Sequence, residues 1–272
     1  MALLYLLTFI TYCTCITDCT NTCTIGADSK HSYFAGIGNP KTGDIFLQIK
    51  DPLLELDVYS RILIVQMKGG EGFTYDTTNT ESFGQIINLG SIGFYEFNFV
   101  TSINPSCTSG ESVIRLNSGL TNNYLSDGQS KYQVVAGVYC NTVSITGNIQ
   151  CTPWDGEKGG LIVIEAVTLT LTGSKVIQCS GSGFRGGYIV PPAGCTNPLE
   201  NFPLTCSTPL GGMKGESWLP NSNAEYCRSA FGSGGGGAPC NGTALNTAGL
   251  GAAGGSLIGM FCVFPGISRV YF

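Results

Sequence analysis

Between residues 45 and 180 the chain advances in short β-branched or aromatic bursts, at 45–49, 62–67, 94–100, 113–116, 132–138 and 143–145, each bounded by Gly, Asn, Asp or Ser. Bursts closed off in this way predict strands. Within Phe94-Tyr95-Glu96-Phe97-Asn98-Phe99 the polar residues Glu96 and Asn98 alternate with aromatics, which predicts a strand that buries its aromatic face and turns Glu96 and Asn98 away from it. No stretch holds a helical period for three turns. The segment opened by Asp51-Pro52 has a cap and a first-turn proline, yet Leu54, Leu56 and Val58 alternate as a strand would, and the pattern supports either element.

After Gly159 the runs crowd together. Residues 161–165, 167–171 and 175–179 read as three consecutive strands separated by very short turns. That spacing predicts stacked rungs of a parallel β-helix, in which each coil buries its inward side chains against its neighbours. The absence of exact repeats keeps a β-sandwich as the alternative. From Gly181 onward glycine dominates, and no charged residue lies between Arg228 and Arg269. Such a region packs main chain against main chain, because glycine permits close approach. Residues 256–264 and 267–272 read as closing strands. The chain is therefore expected to be all-β. Residues 1–22 form a leader and Cys/Thr-rich segment, 23–180 a β-rich domain, and 181–272 a glycine-rich, disulfide-stapled region with terminal strands.

Composition narrows the function. Lys+Arg 13 against Asp+Glu 18 give a net charge of −5 over 272 residues, with 11% charged, against about 25% in an ordinary soluble domain. Without a basic cluster there is no electrostatic footprint for nucleic acid. Residues 2–16 carry no charge and have the length of an export signal rather than a membrane span. Thirteen cysteines beside one histidine fit an oxidising compartment. Cys107, Cys140, Cys151, Cys179, Cys195, Cys206, Cys227, Cys240 and Cys262 are disulfide candidates of open connectivity. The cluster Cys13, Cys15, Cys19, Cys23 lacks the usual paired spacing of zinc ligands, so no metal is expected. Asn241-Gly242-Thr243 is a glycosylation sequence.

Candidate chemistry is thin. Gly181-Ser182-Gly183-Phe184-Arg185-Gly186 matches a dinucleotide-loop pattern, but Pro191-Pro192 blocks the helix whose N-terminus must meet the pyrophosphate, so no dinucleotide or other cofactor is expected. The run Gly181, Gly183, Phe184, Arg185, Gly186 and Gly187 is read as structural, with Arg185 clamping backbone carbonyls of the glycine-rich region. His31, in a polar stretch, reads as a solvated loop residue. Asp155, Glu157 and Glu165 offer carboxylates for a glycosidase-like pair but read more simply as scattered surface acids. No catalytic residue is assigned. Trp154, Trp218 and exposed tyrosines are candidate platforms for apolar sugar faces.

The order of RILIVQMKGGEG (61–72), TTNTESFGQI (77–86), GFYEFNFV (93–100), LNSGLTNNY (116–124), KYQVV (131–135), PWDGEKGGLIVIEAVTLTLTG (153–173), GSGFRGG (181–187), KGES (214–217) and GSGGGGAP (232–239) resembles the amino-terminal module of large secreted surface proteins, many from Bacteroidota, described as adhesin-like or gliding-motility-associated. The resemblance implies an extracellular, β-rich, non-enzymatic module. This chain is far richer in cysteine than that family, which points to a stapled variant. Exposed strand edges favour self-association. A secreted structural or surface protein that assembles into a filament or coat is the expectation, with a surface glycan or protein as the other partner class.

Overall fold

The computed structural model describes residues 22–26, 31–50, 56–78, 80, 82, 84–105, 110–186, 215, 216, 218, 263, 264 and 267–271. All regular structure among them is strand. The first body is a closed antiparallel barrel. Its strands are β2 (Ser32–Ile37), β3 (Phe46–Lys50), β4 (Arg61–Lys68), β7 (Tyr95–Pro105), β8 (Glu111–Leu116) and β9 (Lys131–Ala136), in the order β2-β3-β8-β7-β4-β9. Phe34, Leu47, Ile49, Ile62, Ile64, Val100, Ile114, Leu116 and Val134 fill it, joined by Tyr124 and Tyr132. Alternate positions point inward because a strand's side chains alternate with period two. A small hairpin, β5 (Thr74–Tyr75) with β6 (Ile86–Asn88), lies outside the barrel strands.

The second body is built from parallel rungs. Strand β1 (Thr22–Ile25) pairs in parallel with β10 (Val138–Ile145), which pairs in parallel with β12 (Val163–Leu171). The short strands β11 (Ile149–Gln150) and β13 (Ile177–Gln178) form a second parallel ladder, so the chain makes coils of the solenoid kind. Like sits on like through the stack: Thr22, Thr142 and Thr168 share one column, and Ile25, Ile145 and Leu171 another. Two disulfides join successive rungs, Cys23–Cys140 and Cys151–Cys179. The antiparallel strand β15 (Ile267–Tyr271) covers the first half of β12 and carries β14 (Val263–Phe264) on its far edge.

Gly137 makes the passage from barrel to coil. It separates β9 from β10, and a Cβ there would lie 2.6 Å from both the Cβ and the carbonyl oxygen of Val163. Only glycine lets the two bodies close at this point. Across the seam the outward residues Leu63 and Val135 of the barrel pack with Tyr33 and Val163, joined by Val65, Phe97, Tyr139 and Leu161. This explains the unbroken apolar run 62–65: Ile62 and Ile64 enter the barrel while Leu63 and Val65 meet the coil. Arg61 crosses the same seam to Glu165 at 3.0 Å and lies 5.0 Å from the ring centres of Phe97 and Tyr139.

The parallel rungs expected after residue 159 are present, and the closed barrel over 32–136 is what the spacing of runs did not disclose. Three details differ from the sequence pattern. Residues 161–165 and 167–171 are not separate strands, because β12 runs unbroken through Val167. Residues 56–59 contain no helix, since Leu56 enters the barrel core and a turn follows. The phase of β7 is inverted: Glu96 and Asn98 are buried, while Phe94, Tyr95 and Phe99 are exposed. Alternation sets the period of a strand but not which set faces inward. Here the inward polar groups are satisfied. Glu96 accepts the amide protons of Thr121 (2.9 Å) and Asn122 (3.1 Å) and the Tyr124 hydroxyl (3.0 Å).

Candidate functional site

Four distant segments meet around one carboxylate, that of Glu216. Lys68, at the end of β4, reaches it at 3.4 Å. The Trp154 Nε1–H donates to Oε2 at 3.0 Å. From the loop after β13, Arg185 Nε donates to the same oxygen at 2.9 Å. Main chain completes the junction, since the Glu216 amide donates to the Arg185 carbonyl at 2.8 Å and the Gly69 amide to the Trp218 carbonyl at 2.8 Å. Trp218 packs beside Phe73, Tyr75, Ile86 and Ile92 at the small hairpin. The short stretch around Glu216 thus straps barrel, hairpin and coil together.

The local sequence explains why each arm reaches its place. Trp154 is fixed edge-on to Phe184, with ring centres 5.4 Å apart, and its amide donates to the Ser182 carbonyl at 2.9 Å. Gly156, at φ 112, leaves the space that the Arg185 guanidinium fills, because a Cβ there would stand 2.5 Å from Nη2. Burial by itself pushes the Glu216 carboxyl up, but the Arg185 hydrogen bond, the Lys68 charge and the Trp154 N–H outweigh it and hold the group below the ordinary carboxylate range. Burial pulls the Lys68 ammonium down, and the charge of Glu216 opposes this only in part. A carboxylate held so firmly in its charged form is a poor proton acceptor near neutral pH. The cluster is built to hold, and its contribution is complete above pH 4.5 and lost as pH falls through the lowered folded value.

The structure assigns the other sequence candidates as follows. Among the described residues the Arg185 guanidinium is held by a carboxylate, where backbone carbonyls were expected. Gly181, at φ 72, turns the chain after the second disulfide, and Gly183, Phe184 and Gly186 lie in the same loop. Gly187, Asn241, Cys107, Cys195, Cys206, Cys227, Cys240 and Cys262 lie outside the described residues. Cys140, Cys151 and Cys179 are paired as stated above. The three candidate acids are each engaged: Asp155 accepts the Glu157 and Lys158 amides, Glu157 meets Lys50 and Lys131, and Glu165 meets Arg61. Trp154 is buried and presents no sugar platform, and Trp218 is only partly accessible. Among the described residues no group of three or more His, Cys, Asp or Glu is placed to hold a metal ion, and no helix is long and apolar enough to cross a membrane.

His31 is a correction. It is buried at the seam, with Nε2 3.0 Å from the Val163 amide nitrogen and 2.8 Å from the Val163 carbonyl oxygen. The neutral ring either accepts from the amide or donates to the carbonyl, according to its tautomer. Burial depresses its pKa below 6.5, with the Val163 hydrogen bond opposing. The unfolded chain therefore binds the proton more tightly, and stability is expected to fall as pH drops from about 6.5. Thermal unfolding between pH 7.5 and 5.5 checks this. The wild type should lose midpoint across that window, and His31→Asn should be flatter.

Known proteins add little at this point. No family model matches the chain, and no curated protein matches it. A similar solved structure is the Gp54 tailspike of Acinetobacter baumannii bacteriophage AP22, in complex with A. baumannii capsular saccharide, at 10% identity and a TM-score of 0.25. The match covers 47% of this chain and 19% of that chain. At that score the likeness carries no argument about function.

Polar residues anchor loops from inside strands; sequence reasoning passed over Gln133 and Gln66 and set Asn98 on the wrong face. Gln133 is fully buried, and its amide group donates to the Gly159 carbonyl (3.0 Å) and accepts from the Gly159 amide (2.8 Å). Gln66 does the same to Leu125, at 2.9 Å for both bonds. Asn98 donates to the Ser118 carbonyl at 3.0 Å. A lone polar residue in a strongly apolar strand was the available signal, because such a group is buried only with partners.

Proposed function

We propose that this chain is an exported, disulfide-stapled structural module of a cell or particle surface, of the adhesin-like kind its motifs suggest, that acts by holding and associating rather than by chemistry. The observation that carries this reading is the pair of disulfides across successive parallel rungs, because bridges of this kind persist in oxidising compartments. Support comes from the candidate acids, each committed to a strand seam or a loop. The chain's self-association belongs to the same reading, since strand edges template further strands.

The test uses the full chain exported to an oxidising compartment and kept under non-reducing conditions. Peptide mass spectrometry should recover Cys23 linked to Cys140 and Cys151 linked to Cys179, and light scattering should show mass rising with concentration. Free thiols at these four positions would overturn export. A constant monomer mass at high concentration would remove association.

A further inference from the structure

The coil repeats one pattern on each of its parallel rungs β1, β10 and β12. Thr22-Cys23-Thr24-Ile25-Gly26, Thr142-Val143-Ser144-Ile145-Thr146 and Thr168-Leu169-Thr170-Leu171-Thr172 stand in register. Thr22, Thr142 and Thr168 form one column, and Thr24, Ser144 and Thr170 the next. The ladder carries on one step further, because the Thr146 amide donates to the Ile25 carbonyl at 2.9 Å and the Thr172 amide to the Ile145 carbonyl at 3.0 Å. A Cβ on Gly26 would lie 4.0 Å from Thr146 Oγ1, so the glycine belongs to this third column. Of the positions in the three columns, all but Gly26 bear a hydroxyl.

The array faces outward. Cys23, Val143 and Leu169, between the first two columns, turn into the coil core with Ile25 and Ile145. Side chains alternate along a strand, so the hydroxyl columns lie on the opposite face. Thr22, Thr24, Thr146, Thr168, Thr170 and Thr172 are exposed, and Thr142 and Ser144 on the middle rung are half-buried. The stacking of rungs does not itself require this uniformity. Earlier on the same strands, where they meet the barrel, the stacked pair is Tyr139 beside Glu165.

Backbone pairing sets the dimensions of the mesh. Adjacent parallel strands lie about 4.8 Å apart and alternate residues of one strand about 6.6 Å apart, which is close to the oxygen repeats on a prism face of hexagonal ice. Threonine is stiff at χ1, so each hydroxyl keeps its place with a methyl beside it. A hydroxyl both donates and accepts, as a water molecule in ice does. No residue of the array is charged, so no tightly held hydration shell opposes an ordered water layer. The Cys23–Cys140 bond ties the first rung to the second and keeps the mesh rigid. A sugar face would call for an aromatic ring, and the array contains none.

We infer that this array is an ice-binding face, on which waters ordered by the hydroxyl and methyl mesh join the lattice of an ice crystal. The inference goes beyond the surface-module reading and stands whether or not the chain associates with itself. The test grows ice slowly through a dilute solution of the full chain under non-reducing conditions and compares the protein in the ice with that left in the liquid. Wild type should be enriched in the ice several-fold over an unrelated globular protein of similar size, and should keep small ice grains from coarsening during annealing. Thr24→Lys and Thr170→Lys, on different rungs, should each lose the enrichment. Ile87→Lys, at a 71% exposed position on the small hairpin, should keep it. All three are surface changes and should leave the thermal midpoint within about 2 °C of wild type. Rejection of the wild type from ice would overturn the inference. So would full enrichment of either array variant, or an equal loss in Ile87→Lys, which would show that added charge acts wherever it is placed. None of these results bears on disulfide pairing or on mass measured by light scattering.

Discussion

Replacing Cys23 and Cys140 together by alanine should cost the native state about 5 kcal/mol, because their bond closes the longer of the two described covalent loops. The bonded residues are 117 apart in sequence, against 28 for Cys151 and Cys179. In the chain-entropy account a bond restricts the unfolded ensemble more when the loop is longer, which gives the second bridge about 3.6 kcal/mol. Either loss is large beside the roughly 5–15 kcal/mol that holds a typical domain together. The consequences also differ in place. The first bond ties β1 to β10, so its loss releases the opening rung, while the second ties the β11–β13 ladder next to the loop that carries Arg185. Urea unfolding of the two double variants, under oxidising conditions, should rank them in that order. Equal and negligible losses would mean that the bridges do not contribute as the loop lengths require.

Glu216→Ala is expected to destabilise the fold by about 3–5 kcal/mol, the usual result of removing one partner from a buried ion pair. The Lys68 side chain is only 8% accessible and would be left buried without its counterion, whether it stays charged or gives up its proton, and the Trp154 N–H would lose its acceptor. Arg185→Ala should cost less than about 1 kcal/mol, because that side chain is 60% accessible and water replaces much of what it gives up. The contrast between the two variants isolates burial as the cause. Lys68→Met combined with Glu216→Gln removes both charges and should recover a large part of the loss. Chemical unfolding of the four proteins checks the series. If Glu216→Ala stayed within 1 kcal/mol of wild type, the strap would be incidental to the fold.

The legible part of this protein lies in its local patterns. Runs of β-branched and aromatic residues between turn formers placed most strands; parallel rungs were expected after Gly159 and are present, but the first two crowded runs are one strand, β12, and the partners of β12 and β13 are β10 and β11, earlier in the chain. Cysteine number and the scarcity of histidine announced bridges. The motif pieces 61–72, 153–173, 181–187 and 214–217 were visible as separate strings. Nothing local stated that Lys68, Trp154, Arg185 and Glu216 share one carboxylate, because Lys68 and Glu216 lie 148 residues apart. The same holds for His31, whose polar neighbours suggested solvent while Val163, 132 residues away, covers it.

What the sequence by itself determined was the period and chemistry of each element: all-β structure, strands bounded by glycine and small polar residues, and cysteines suited to pairing. Tertiary structure alone decided phase and partnership. In β7 the alternation of Glu96 and Asn98 with aromatics is equally regular whichever set points inward. The inward set is the polar one because the 118–124 loop offers amides and a hydroxyl to receive it. Disulfide partners, closure of the barrel and the seating of Glu216 follow the same rule. Periodicity is fixed between neighbours in the chain, whereas burial is fixed by whatever distant segment closes over the face.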